Sequence, residues 1–370
     1  MPFSICCPLK RSVTSPARPP GRRQPASWLP SAHARSLSHQ PTRVHAPTSN
    51  DRSPGGDVQL ERADVGARQR VLTMYNSLLC YSGDDTGLLK KVRLSPPAVG
   101  AVQRWGEQSK GGGVACACWG PGGSEDLVGA GYDSGAVRVW STATPGWTEP
   151  VAAFASESGS GVLGVRCTGN AEGSARLVAC DRAGVVRTWA WGGDGEAAAE
   201  AAVPLAEFEA GGAVGVATFD AEARRVAVGG RGRELSLWDV ETGAVAYKAR
   251  NVPNDNLDLQ VPIWVSGARW LPGQPTVLAV STGYVQSRLL GEVRLYDVAA
   301  GRRPTARRKG ALGEEAVRSI ACTPDGRYVL AGSGSGSMVR LDLRMSLKPV
   351  GRYKGAAGSI RQIEVHREQH

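Results

Sequence analysis

One structural unit recurs along most of this chain, at intervals of 45 to 58 residues. Each copy has an apolar segment, a Gly/Pro turn, a short apolar segment, a tight turn with glycine, and a segment that ends in an aromatic residue or leucine. These end positions are Trp140, Trp189, Trp238, Tyr296 and Leu341. A period of this length with several short strands is typical of propeller blades. The sequence therefore predicts an all-β fold, a WD40-like β-propeller, over residues 74–370.

The clearest unit predicts strands at Val114–Trp119, Leu127–Ala130 and Ala136–Trp140. Partial units flank the five complete ones. Leu78–Ser82 and Leu88–Leu94 are predicted as the second and third strands of a first blade, and Ser359–His366 as the first strand of a last blade. This last strand either completes the first blade, which closes a six-bladed ring, or begins an incomplete seventh blade. An open ring would leave strand edges exposed to pairing.

The N-terminal segment, residues 1–73, has a different composition. It has ten prolines before residue 55, carries a net charge of +7 out of the chain's +10, and has no acidic residue before Asp51. Such a composition cannot bury a core and predicts disorder. Three interpretations stay open: a plastid or mitochondrial transit peptide, translated leader sequence upstream of a start at Met74, or a disordered tail.

The composition of the remaining chain argues against several classes of function. All five histidines lie at positions 33, 39, 45, 366 and 370, which leaves residues 46–365 without the commonest general base and metal ligand. No run of apolar residues is long enough to cross a bilayer. The eight cysteines show no CxxC pair, which favours reduced, buried thiols. We therefore expect a binding protein, not an enzyme, with no cofactor and no membrane partner.

Residues 248–264, KARNVPNDNLDLQVPIW, interrupt the repeat. Pro253 and Pro262 predict an ordered loop, not a strand within a ladder. Such a loop presents its polar side chains to a partner, or else its acidic residues cap turns and its leucines fill the gap between blades.

A second feature is a cluster of five cations in what reads as a connection between two strands. Its members are Arg302, Arg303, Arg307, Arg308 and Lys309. The cluster predicts contact with RNA phosphates or an acidic partner, against the alternative of a solvated loop. Because no aromatic residue lies nearby, any RNA contact should be independent of sequence.

From about residue 76 to 366 the chain resembles the WD repeat-containing protein 74 family. The resemblance rests on these segments: Asp85–Gly87, Leu89–Lys90, Lys248–Val252, Asn254–Asp255, Leu257–Leu259, Val261–Trp264, Thr282–Tyr284, Leu295–Asp297, Asp342–Arg344, Lys354–Gly355, Ala357–Ser359 and Arg361. The chain departs from the family pattern at Asn256, where relatives have Trp, and in the extra length of Val285–Gly291. It also lacks the rest of the last blade and the lysine-rich tail of relatives.

The resemblance implies a seven-bladed, non-enzymatic scaffold in the nucleus and nucleolus, acting in large (60S) ribosomal subunit biogenesis and pre-rRNA processing. Implied partners are pre-60S ribosomal particle proteins, an AAA-type ATPase and an RNA-exosome helicase. The implied partner-binding residues are Lys248, Arg250, Asn251, Asn254, Asp255, Asp258, Gln260, Tyr284 and Arg361.

An alternative function is a WD40 substrate adaptor for a cullin ubiquitin ligase. Asp342-Leu-Arg344 after Leu341 is similar to the WDxR motif of such adaptors, although leucine replaces the tryptophan.

Overall fold

The computed structural model describes residues 79–93, 100–143, 149–155, 159–169, 174–192, 203–254, 257–283, 291–353, 356 and 358–365. The predictions for residues 1–73 lie outside this part of the chain. No helix among the described residues is long and apolar enough to span a membrane.

The described residues form six antiparallel sheets, numbered here in chain order, and each is a simple meander. Sheet 1 has three strands and the others have four. The strands are β1 (Leu79–Gly83), β2 (Leu89–Arg93) and β3 (Gly100–Trp105) in sheet 1; β4 (Val114–Trp119), β5 (Leu127–Tyr132), β6 (Val137–Ser141) and β7 (Ala152–Phe154) in sheet 2; β8 (Val162–Gly169), β9 (Ser174–Asp181), β10 (Val185–Gly192) and β11 (Ala206–Glu209) in sheet 3; β12 (Val216–Phe219), β13 (Arg225–Gly230), β14 (Arg233–Asp239) and β15 (Val245–Lys248) in sheet 4; β16 (Val265–Leu271), β17 (Gln274–Thr282), β18 (Glu292–Asp297) and β19 (Ala306–Lys309) in sheet 5; and β20 (Val317–Cys322), β21 (Tyr328–Ser333), β22 (Met338–Asp342) and β23 (Lys348–Tyr353) in sheet 6.

The repeated end positions of the sequence unit lie on the third strand of each four-stranded sheet, as predicted. Trp189 is 2% exposed and stacks on Phe154 of sheet 2, with ring centres 5.1 Å apart. Leu341 of sheet 6 is fully buried. A large apolar side chain at this position therefore packs one sheet against the preceding one.

The hydrophobic core lies between consecutive sheets. One cluster joins β4 and β6 of sheet 2 to β8, β9 and β10 of sheet 3, and similar clusters join each later pair. The first strands of sheets 2 to 6 contact one another in succession. Sheets that pack face to face around their first strands form a β-propeller, which confirms the predicted WD40-like fold.

Residues 358–365 continue this arrangement beyond sheet 6. Ile360 lies against Gly332, just as Val162 lies against Gly131 and Val265 lies against Gly229. The Ile360 amide donates to the Ser333 carbonyl at 2.9 Å. The segment thus occupies the position of the next first strand.

The predicted strand at Ser359–His366 nevertheless needs correction. Among the described residues this segment is not a β-strand, because it lacks the hydrogen-bonded ladder to a second strand that a β-strand requires. His366 lies outside the described residues. Six-bladed closure and a seven-bladed ring both stay predictions.

Candidate interaction surface

The distinctive segment 248–264 connects the outer strand of sheet 4, β15, to the inner strand of sheet 5, β16. After β15 ends at Lys248, none of the described residues before Trp264 joins a ladder, and Trp264 forms one isolated bridge to Arg231. The predicted ordered loop is therefore confirmed over its described residues, 249–254 and 257–264. Asp255 and Asn256 lie outside them.

Asn251 fastens the two ends of this loop together. Its Nδ2 donates to the Val261 carbonyl, and its Oδ1 accepts from the Val252 amide at 2.8 Å. The same oxygen accepts from Nη1 of Arg294 at 3.1 Å. The side-chain polar groups of Asn251 are thus engaged within the protein, and this residue shapes the loop that other residues present.

The anchor on the sheet side is a buried ion pair. Arg294 is 1% exposed, and its Nε donates to Oε2 of Glu292 at 2.8 Å. Burial works to lower the pKa of Arg294, but the Glu292 carboxylate and the Tyr296 hydroxyl outweigh it, so the pKa is raised. Arg294 therefore stays charged and holds Asn251 through a charge-assisted hydrogen bond.

The described residues at the tip of the loop are a hydrogen-bonded polar pair and two exposed leucines. Nδ2 of Asn254 donates to Oδ1 of Asp258 at 2.9 Å and to its carbonyl at 3.1 Å. Asp258 has a φ of 58°, a conformation that aspartate tolerates better than most residues. Leu257 is 78% exposed and Leu259 is 60% exposed. The alternative interpretation, in which the leucines fill the gap between blades, is wrong for these two side chains.

A turn from sheet 5 is hydrogen-bonded to the start of the loop. The Arg250 amide donates to the Arg302 carbonyl, and Nε of Arg302 donates to the Lys248 carbonyl, both at 2.7 Å. The Tyr247 hydroxyl donates to the Gly301 carbonyl at 2.9 Å. These bonds bring Lys248, Arg250 and Arg302 to one surface.

An open cleft of about 720 Å³ lies beside this junction. It is lined by Glu234, Arg250, Asn251, Asn254, Asp258, Gln260 and Arg303, together with Ala249, Val252 and Pro253. The structure therefore gathers most of the predicted loop residues around one depression. The contribution of Arg303 comes from a segment that sequence reasoning treated as a separate cluster.

Glu234 is a member of this cleft that sequence reasoning missed. Its Oε2 is buried and has no hydrogen-bond partner among the described residues. Burial raises the pKa of Glu234, and the nearby Arg294 guanidinium offsets part of that rise. Its position gives no signal in the sequence, because Glu234 lies next to Arg233 at the start of β14, before the buried residues of that strand begin.

The cationic cluster of sheet 5 is divided between two elements. Arg302 and Arg303 lie in the turn after β18, as expected, but Arg307, Arg308 and Lys309 belong to β19. The prediction of a continuous loop is wrong for these three residues, because they pair with Arg294, Val293 and Glu292 of β18. β19 is an outer strand, where exposed charged side chains protect an open sheet edge.

Tyr284 and Arg361, the two remaining predicted residues, do not belong to the loop. Tyr284 lies outside the part of the chain that the structure describes. Arg361 follows Ile360 in the segment beyond sheet 6 and is exposed. No group of three His, Cys, Asp or Glu side chains in the described part of the chain could hold a metal ion.

Comparison with known proteins gives a consistent result. The WD40 family, described as WD domain, G-beta repeat, matches residues 304–341, which cover the last strand of sheet 5 and most of sheet 6.

Longer matches extend over most of the chain. WD repeat-containing protein 74 of Bos taurus is 31% identical over 297 residues, covering 77% of this chain and 69% of the relative. The Homo sapiens protein of that name is 31% identical over 293 residues, with the same two shares. Ribosome biogenesis protein NSA1 of Meyerozyma guilliermondii is 36% identical over 74 residues, 20% of this chain and 17% of the relative.

Proposed function

Because this chain belongs to the WD repeat-containing protein 74 family, we propose that it is a non-enzymatic scaffold in the assembly of the large ribosomal subunit, acting in the nucleolus. The NSA1 relative is named a ribosome biogenesis protein, which supports a role in this process. The β-propeller supports the scaffold role, since rigid sheets hold their connecting loops in fixed positions.

The observation that carries the proposal is the loop at 249–264, whose base is fixed and whose tip is apolar and exposed. Asn251 and the buried Arg294 hold the base, while the side chains of Leu257 and Leu259 are largely exposed. Exposed leucines on an ordered loop, bordered by cations such as Arg250, are typical of a protein-binding surface.

The partners proposed for this surface are proteins of the pre-60S particle. The AAA-type ATPase and the RNA-exosome helicase implied by the family resemblance are further candidates for the same loop. Lys248, Asn254, Asp255, Asp258, Gln260 and Tyr284 stay proposed contact residues.

For RNA we propose a separate contact at β19. Arg307, Arg308 and Lys309 are exposed on this outer strand. If the three cations each neutralise one phosphate of single-stranded pre-rRNA, the logarithm of affinity should fall with the logarithm of salt concentration with a slope of about −2 from this site. Replacing all three by glutamine should remove that part of the salt dependence.

The experiment that tests the role uses the chain tagged from Met74 and purified gently from cells. Mass spectrometry and RNA sequencing then identify what co-purifies. We expect large-subunit assembly factors and pre-rRNA. Recovery of a cullin complex instead, or of no pre-ribosomal material with a folded propeller, would contradict the proposal.

A matched pair of variants tests the loop within the same experiment. Leu257→Ala with Leu259→Ala removes the apolar tip and should reduce the recovery of assembly factors severalfold. Val203→Ala with Leu205→Ala is the control, since these side chains, which precede β11 of sheet 3, are 84% and 63% exposed. An equal loss in both variants would mean that the loop has no special role.

A further inference from the structure

The first strands of four sheets share an irregularity that determines where one side chain points. In β4, β8, β16 and β20 the register shifts after the first residue, so the second residue is a bulge without a cross-strand partner. A bulge redirects its side chain away from the regular alternation of the strand. The bulge residues are Ala115, Leu163, Ser266 and Arg318, so of these four described bulges the one in sheet 6 carries the charge.

Arg361 occupies the corresponding position on the segment beyond sheet 6. Ile360 packs on Gly332 as Val162 packs on Gly131, so Ile360 corresponds to the first residue of a first strand. Arg361 then corresponds to the bulge residue, like Arg318. The hydroxyl of Ser319 donates to the Ile360 carbonyl at 2.9 Å, which fixes this segment beside β20.

A third arginine reaches the same end of the sheets. Arg231 lies in the turn between β13 and β14, and in antiparallel sheets this turn lies at the end where first strands begin. The guanidinium carbon of Arg231 is 5.9 Å from the centre of the Trp264 ring, and that of Arg318 is 5.2 Å from it. One indole therefore interacts with guanidinium groups from the sheets on either side of its own.

These cations lack acidic partners. None of the three arginines forms an ion pair with a carboxylate in the described part of the chain. Two acidic groups at this end are already engaged: Asp133 pairs with Arg182 at 2.9 Å, and Glu315 accepts from the hydroxyls of Ser335 and Ser337. The cluster therefore carries three positive charges open to a ligand.

We propose that Arg231, Arg318 and Arg361 form a binding site for an acidic peptide segment, at the Trp264 end of the 249–264 loop and distinct from its leucine tip; the proposal does not depend on the role proposed above. Guanidinium groups bind carboxylates through paired hydrogen bonds, and stacking on Trp264 orients two of them in advance. A peptide fits better than RNA, because the guanidinium groups occupy the aromatic ring on which a base would stack.

The test uses the chain from Met74 and a fluorescein-labelled oligoglutamate peptide, with binding followed by fluorescence anisotropy. We expect saturable binding that Arg318→Ala weakens about tenfold or more, as loss of a charged hydrogen-bond donor predicts. Arg318→Lys keeps the charge but not the planar fork, so it should give an intermediate loss.

Arg352→Ala is the matched control. Arg352 is an exposed arginine on β23 of the same sheet, so its removal lowers the net charge equally. The Arg352→Ala variant should bind the peptide with the same affinity as the unaltered chain, and circular dichroism should show that all variants are folded. Equal weakening by Arg318→Ala and Arg352→Ala, or the absence of saturable binding, would overturn the proposal. It would also be overturned if oligouridine bound more tightly than the peptide and lost affinity in Arg318→Ala.

Discussion

The substitution Asn251→Ala should release the 249–264 loop from sheet 5 while the propeller stays folded. The side chain supplies two neutral hydrogen bonds, to the Val261 carbonyl and from the Val252 amide, and one bond from the buried guanidinium of Arg294. Neutral hydrogen bonds contribute about 0.5–1.5 kcal/mol each and those to charged groups about 1.5–3 kcal/mol. Because water can form some of the hydrogen bonds that the Asn251 side chain made, we expect the free energy of loop opening to fall by about 2–4 kcal/mol.

Hydrogen–deuterium exchange measures this change directly. A loss of 2–4 kcal/mol corresponds to exchange that is about 30- to 900-fold faster for protected amides within the loop, such as that of Val252. Amides of β16 and β18 should exchange at their original rates, because the ladders between the strands of sheet 5 do not involve Asn251.

Asn251→Asp is the discriminating control. The carboxylate keeps an acceptor for the Val252 amide and gains a full charge opposite Arg294, but it loses the donation to Val261 and places an oxygen against that carbonyl. Its effect should therefore be smaller than that of Asn251→Ala, about 1–2 kcal/mol, or about 5- to 30-fold in exchange rate. If Asn251→Ala leaves exchange in the loop unchanged, or if both variants act equally, Asn251 does not hold the loop through Arg294 and the reasoning is wrong.

Three further predictions concern the stability and reactivity of the fold. Burial works to raise the pKa of Asp84, but Lys90 and backbone amides lower it to about 2. The ionised carboxylate should therefore stabilise the fold above its usual pKa of 3.8 and lose that effect as the pH falls towards 2. The urea midpoints of the unaltered chain and of Asp84→Asn should converge over that pH range. A Cβ on Gly131 would lie 2.6 Å from Val162 whereas one on Gly212 would meet nothing, so Gly131→Ala should lower the free energy of unfolding by about 1–3 kcal/mol and Gly212→Ala should leave it nearly unchanged in urea titrations. Burial raises the pKa of Cys180 to about 12, so mass spectrometry should find it unalkylated by iodoacetamide until denaturant is added.

The repeat predicted the inner strands well, and the reason is physical. Strand β4 was predicted with its observed bounds, Val114–Trp119, because both faces of an inner strand are covered and its residues are almost continuously apolar. The outer strands lack that signal. β15 and β19 are largely exposed, so no apolar alternation distinguishes them from loops, and Arg307, Arg308 and Lys309 were accordingly misplaced.

The interaction surface was predictable only in part, because its parts are distant in sequence. Two prolines and a polar composition identified an ordered loop at 248–264. They could not indicate that Asn251 binds Arg294, 43 residues away, or that the Arg302 turn docks on Lys248. These contacts depend on the packing of sheet 4 beside sheet 5, and a single sequence shows no pattern that encodes them.

The size of the loop tip limits how tightly it can hold a partner by itself. Full burial of a leucine side chain contributes about 1.5–3 kcal/mol, and fixing each exposed side chain costs about 0.5–1.5 kcal/mol. Because Leu257 and Leu259 already bury part of their surface, their burial contributes about 2–4 kcal/mol. After the cost of fixing both side chains, at most about 3 kcal/mol remains, which corresponds to an affinity weaker than millimolar. Stable attachment to a large particle therefore needs additional contacts on the same rigid propeller, such as the arginine cluster around Trp264 or the cations of β19. When a rigid scaffold holds several contacts at a fixed spacing, their combined affinity exceeds that of each contact alone. Loss of the leucines should consequently weaken the recovery of assembly factors without abolishing it, whereas loss of the leucines and of Arg318 together should reduce it by more than either change alone.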